Sequence, residues 1–109
     1  MAEKHEYLVA RFRARLRKSG YHIEARSPFV DYRPDVHAVR GLRRIFAEVE
    51  IDGTLYGEHT RRQLGIMYRY LVKSKRNYGA LVVPRSLKRE ATFLVRQVFG
   101  DRKIRVEAL

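Results

Sequence analysis

The chain has 109 residues, 45% of them hydrophobic, with only 3 Pro and 7 Gly, which suits one folded domain over residues 1–109 and excludes both a disordered chain and two separate cores. It has no Cys, which excludes disulfides and thiolate zinc sites; no apolar run approaches the ~18 residues of a membrane span, and the charged N-terminus lacks a signal peptide's apolar centre, so an intracellular protein is expected. The formal net charge is +12, with 18 of the 24 basic residues Arg, and such a field attracts polyanions, whose phosphates match the two-pronged guanidinium.

Residues 3–18 have helical spacing, with His5, Leu8, Val9, Phe12 and Leu16 on one stripe and Arg11, Arg13, Arg15, Arg17 and Lys18 flanking it. Those arginines read as a solvated face whose stems cover the core edge as readily as a DNA contact. Gly20 suits a C-terminal cap. Residues 21–26 alternate as a short strand, and SPFVDY follows as a loop. Strands over about 34–39 and 43–51 flank Gly41-Leu42, where Gly at the first central position suits a two-residue type II′ turn. Asp52-Gly53 signals a turn. Thr60 caps a second helix to about Lys75, with Leu64, Met67, Tyr68, Leu71 and Val72 on its buried face. Residues 78–84 form a buried strand. Ser86 caps a third helix with Leu87, Ala91, Leu94, Val95 and Val98 inward and Gly100 at its end, and residues 103–109 form a last strand. The order α-β-β-β-α-β-α-β implies an α/β sandwich, a mixed β-sheet flanked by helices.

The hairpin carries an electrostatic oddity. A turn centred on Gly41-Leu42 opposes Val39 to Arg44, His37 to Phe46 and Asp35 to Glu48, while Val36 and Ala38 share the other face with Ile45, Ala47 and Val49. Glu50 projects from the same face as Asp35 and Glu48. Like charges opposed on a sheet are destabilising, whereas three converging acids suit a divalent cation, since Mg²⁺ takes one or two carboxylates and keeps several waters. The competing reading is a set of surface ion pairs, with Arg33 opposing Glu50 and Arg44 or Arg26 neutralising the others. His37 stands beside the acids and could hydrogen-bond there.

Pro34-Asp35 followed thirteen residues later by Glu48-Val49-Glu50, on the two strands of a hairpin in an α-βββ-αβ order, resembles the PD-(D/E)XK nuclease superfamily, and in size the small Holliday-junction resolvases within it. The resemblance runs from the first helix to Val83. It implies a restriction-endonuclease-like fold, Asp35, Glu48 and the Val49 carbonyl as ligands of Mg²⁺ (or Mn²⁺), and Asp35, Glu48 and Glu50 as catalytic residues. The departure is Glu50, where the family usually has Lys; some restriction endonucleases carry Glu-X-Glu instead. Members often add a Glu from the first helix, for which Glu6, and less well Glu3, is available. Gln63 loosely resembles a polar residue of exonuclease-like members, but their usual Tyr four positions on is Met67 here.

The resulting expectation is a metal-dependent nuclease acting on nucleic acid, DNA foremost, with Arg33, Arg43, Arg44, Arg61, Arg62, Lys73, Lys75 and Arg76 holding the backbone. No membrane is expected as partner, and a homodimer is expected if both strands are cut. The alternatives are a non-catalytic nucleic-acid binder on the same fold, its site degenerate at Glu50, and an adaptor for acidic proteins.

Overall fold

The computed structural model describes residues 2–100 and 103–109, with side chains from residue 4 onward. Chain order is α1 (Ala2–Lys18), β1 (His22–Ile23), β2 (Val36–Arg40), β3 (Arg43–Val49), α2 (Glu58–Leu71), β4 (Asn77–Val83), a 3₁₀ turn (Arg85–Leu87), α3 (Lys88–Phe99) and β5 (Ile104–Ala108). The five strands form one mixed sheet in the order β1-β2-β3-β4-β5. β1, β2 and β3 run antiparallel, and β4 and β5 join parallel, as expected when α2 and α3 make the connections.

The hairpin fixes which side chains face where. Gly41 has φ +60° and Leu42 does not have positive φ, the combination of a type II′ turn, whose twist suits the flanking strands. β2 and β3 consequently pair His37 with Phe46 and Val39 with Arg44. One face of the sheet then presents Val36, Ala38, Ala47, Val49, Ala80 and Val82 to Leu8, Val9, Phe12 and Leu16 of α1. The other presents Phe46, Leu81 and Val83 to Leu64, Met67 and Leu71 of α2 and to Ala91, Leu94 and Val95 of α3. Each Val, Leu, Phe or Met among them, fully buried, contributes about 1.5–3 kcal/mol. α2 crosses β4 at Gly79, where an added Cβ would lie 2.7 Å from Leu71 Cδ1 and 2.8 Å from Met67 Sδ. The glycine lets helix and strand approach.

Several element boundaries differ from the sequence expectation. β1 is two residues long instead of six, β2 begins at Val36 and β3 ends at Val49. α2 starts at Glu58 behind Gly57 with no side-chain cap, so Thr60 is not its cap but a buried residue of the first turn. It ends at Leu71, short of Lys75, because Lys73 and Ser74 N–H donate to Tyr70 and Leu71 carbonyls three residues back, and Asn77 Nδ2 also donates to the Tyr70 carbonyl. Val72 lies beyond that end and is 55% exposed; Val98 is likewise exposed. Ser86 sits in the 3₁₀ turn and does not cap α3. None of the described helices is long and apolar enough to cross a membrane.

Candidate active site

Because β2 begins only at Val36, Asp35 stands just outside the ladder, next to the final pair Val36–Ala47. Its carboxylate turns to the neighbouring strand, where Val49 N–H donates to Oδ2 at 2.8 Å. In extended chain the N–H and C=O of one residue point the same way, so the Val49 carbonyl opens on the Asp35 side as well. Glu48 is only 4% exposed. Burial first, then the charge of Asp35 and a hydrogen bond between the two carboxyls, push Glu48 up to about 9; Glu50 adds a smaller repulsion. Tyr32 opposes this rise, its hydroxyl donating to Glu48 Oε1 over a long 3.4 Å. Burial and the acids beside it in turn hold the Tyr32 hydroxyl well above the usual phenol range. Glu48 is therefore held in its protonated form at neutral pH.

Glu50 takes a different path from the other two. Its Oε1 lies 2.8 Å from Thr60 Oγ1 in the first turn of α2, and that hydroxyl is also 2.7 Å from the Thr54 carbonyl. The convergence is thus of two acids and a backbone carbonyl, with Glu50 tied to the helix. Among the described residues no three His, Asp or Glu groups form a ready metal cage.

α1 contributes His5, which the helical spacing places on the core stripe. It stands instead at the margin, Nε2 3.4 Å from Asp35 Oδ2 and Nδ1 3.5 Å from Glu6 Oε1. Glu6 itself is exposed and does not line the cleft; the Glu3 side chain lies outside the described residues. The acids, His5, Arg33, His59 and Gln63 border an open cleft of about 560 Å³, within the ordinary range for ligand sites.

The cations expected to neutralise the acids are elsewhere. Arg44 Nη1 donates to His37 Nε2 at 3.0 Å, so the ring proton sits on Nδ1 and is donated to the Arg26 carbonyl at 3.1 Å. His37 is 5% exposed, stacks on Phe46 at 4.9 Å and is held below the usual imidazole range chiefly by burial. It does not bond to the acids. Arg33 lines the cleft, yet among the described residues no Lys or Arg comes within 4.0 Å of a carboxylate oxygen of Asp35, Glu48 or Glu50.

The eight basic residues assigned to the nucleic-acid backbone divide into two groups. Arg33 borders the cleft, and Arg61 and Arg62 are exposed on the first turns of α2. Arg43 and Arg44 open β3 at its other end, and Lys73, Lys75 and Arg76 follow α2 there, joined by Arg44 N–H to the Arg76 carbonyl at 2.9 Å. Five strand steps from Arg43 to Glu48 span about 17 Å.

Sequence reasoning missed Tyr32, Thr60 and the placement of His5. A polar residue inside an apolar stripe was the available signal for His5. Nothing local marks Tyr32, which the loop before β2 brings over Glu48. Compared with known proteins, the chain matches no family model, no curated protein and no solved structure.

Proposed function

We propose that this protein is a metal-dependent nuclease that hydrolyses phosphodiester bonds, foremost as a DNA endonuclease, on a restriction-endonuclease-like fold of the PD-(D/E)XK type. The observation that carries the reading is the Asp35–Glu48 pair, Glu48 buried and Asp35 half-buried beside it, which no Arg or Lys neutralises among the described residues of a chain with net charge +12. Burying a carboxylate without a counter-charge is costly, and a divalent cation would relieve that cost. Asp35, Glu48 and the Val49 carbonyl form an all-oxygen donor set, the kind Mg²⁺ takes alongside retained waters; Mn²⁺ accepts the same donors. Bound there, the cation would polarise the scissile phosphate and lower the pKa of a water.

The chain's own residues then have separate tasks. With the cation bound, Glu48 would serve as a ligand in its ionised form, its proton released to solvent. Val49 N–H holds Asp35 in orientation through Oδ2. Glu50, with Oε1 engaged by Thr60, keeps Oε2 to accept the proton of the attacking water. Arg33, Arg61 and Arg62 orient the backbone, and Arg33 supplies charge where the family's Lys is missing. Cutting both strands would use a homodimer.

A second reading, a non-catalytic nucleic-acid binder, is favoured by one observation: Glu50 is bonded to α2 in the position where a nuclease of this type usually presents Lys. Cleavage separates the two readings. Purified protein given supercoiled plasmid, a four-way junction, a flap and an RNA in Mg²⁺ or Mn²⁺ should cut at least one of them. Asp35→Ala and Glu48→Ala should abolish cutting and retain binding. If all four substrates stay intact with both metals, the binder reading stands and the nuclease reading falls.

A further inference from the structure

At the end of the sheet away from the acids, on the face packed by α1, lies a second hollow that the proposed reaction does not use. Its volume is about 260 Å³, and Arg15, Arg40, Arg43 and Arg105 border it, with Glu107 as the acid on its lining. Alternation explains the grouping: Arg40, Arg43 and Arg105 share a sheet face with Ala38, Ile45 and Glu107, and Arg15 reaches the hollow from α1. Four guanidiniums against one carboxylate leave this small space with a surplus of three positive charges.

Two of the guanidiniums are held in place. Arg40 lies 4.6 Å from the centre of the Tyr21 ring and donates from Nη1 to the Ser19 carbonyl at 2.7 Å. Arg43 lies 4.2 Å from the centre of the Tyr78 ring. Its Nε is buried with no hydrogen-bond partner among the described residues, a charged donor left unused at a cost. Such pre-positioned forks match phosphate oxygens. The volume is smaller than the ~300–1,000 Å³ of a typical small-ligand pocket, which suits a phosphate group with part of its sugar better than a whole nucleotide.

We infer that this arginine hollow takes a backbone phosphate of a nucleic acid, as a contact point separate from the acidic cleft. A polymer is favoured over a free phosphate compound because the charge continues beyond the hollow. Arg17 and Lys18 are exposed in the same last turn of α1 as Arg15, and Lys103 lies 5.3 Å from the centre of the same Tyr78 ring. The inference stands on the hollow alone and holds whether or not the acids catalyse.

The test uses full-length protein and fluorescein-labelled 20-base-pair duplex and 20-nucleotide single-strand probes, with anisotropy measured over a range of salt in EDTA. Arg15→Ala/Arg105→Ala removes two exposed guanidiniums that make no hydrogen bond or ion pair with the described residues, and circular dichroism checks the fold. Lys88→Ala/Arg89→Ala removes the same charge from exposed positions at the start of α3. The hollow variant should bind at least one probe about tenfold more weakly, with the log K against log salt slope reduced by about one to two. The α3 variant should change affinity less than threefold. Equal losses in the two variants, or unchanged affinity and slope in the first, would overturn the inference. So would calorimetry in which inorganic tripolyphosphate binding depends on Arg15 and Arg105 while oligonucleotide binding does not.

Discussion

Replacing Glu48 by Gln should make the metal-free protein more stable at neutral pH. Glu48 titrates at about 9 in the folded chain against 4.5 for a solvated glutamic acid. Below 4.5 both states hold the proton, and its contribution to stability is fully present. Between 4.5 and 9 the unfolded chain releases the proton while the folded chain keeps it, so stability falls as pH rises and levels off above 9. At pH 7, 2.5 pH units above 4.5, the loss at 1.36 kcal/mol per unit is about 3 kcal/mol. Gln has the same shape, can donate its amide to Asp35 and accept from the Tyr32 hydroxyl, and does not titrate. The variant should match the parent near pH 4 and exceed it by about 2–3 kcal/mol at pH 7, a urea midpoint shift on the order of 1 M. Urea unfolding followed by far-ultraviolet circular dichroism at pH 4, 7 and 9 in EDTA measures this, and the difference between the two proteins isolates Glu48 from other titrating groups. A Glu48→Gln variant no more stable at pH 7, or a difference that does not grow from pH 4 to 7, would refute the buried, protonated Glu48.

Other outcomes follow from the same geometry. Millimolar Mn²⁺ should raise the melting temperature of the parent chain and leave Asp35→Asn and Glu48→Gln unmoved, since only a ligand bound to the folded state stabilises it; a thermal melt with and without the metal decides. Gly79→Ala drives a methyl into Leu71 and Met67 and should cost about 1–3 kcal/mol in urea unfolding. Thr60→Val leaves the Glu50 carboxylate and the Thr54 carbonyl without their shared donor, a loss of about 1–3 kcal/mol by the same measurement. Phe46→Ala empties a fully buried site between Phe29 and His37 and should cost about 3–5 kcal/mol.

What could be read from the sequence depended on how local its physics is. The register of β2 against β3 was legible because a positive-φ glycine and the alternation of apolar residues demand the same pairing. That register also placed Glu48 and Glu50 on one face. The strand limits were not legible, so Asp35 meets the Val49 N–H instead of standing opposite Glu48 in a ladder pair. Long-range partners were hidden too: Tyr32 reaches Glu48 from sixteen residues away, and Thr60 captures Glu50 from ten. His37 reads as a neighbour of the acids, but burial against Phe46 and the Arg44 guanidinium draws it into a different network. Arginine positions were legible and their grouping was not, because only the folded sheet shows which of them share an end.

The separation of acids and arginines along β3 has a kinetic consequence. About 17 Å of strand lies between Arg43 and Glu48, roughly twice the ~8 Å over which charges are felt at physiological ionic strength. An approaching polyanion therefore senses the two ends of the molecule independently, and its first encounter is oriented by the arginine end. On the proposed function, arrival at the acidic end is a second event, in which Arg33, Arg61 and Arg62 draw the backbone in and the proposed cation offsets the carboxylates that oppose it. If the proposed function holds, association with nucleic acid should accordingly be fast and strongly salt-dependent with or without divalent metal, while residence at the acidic cleft should lengthen only when the metal is present.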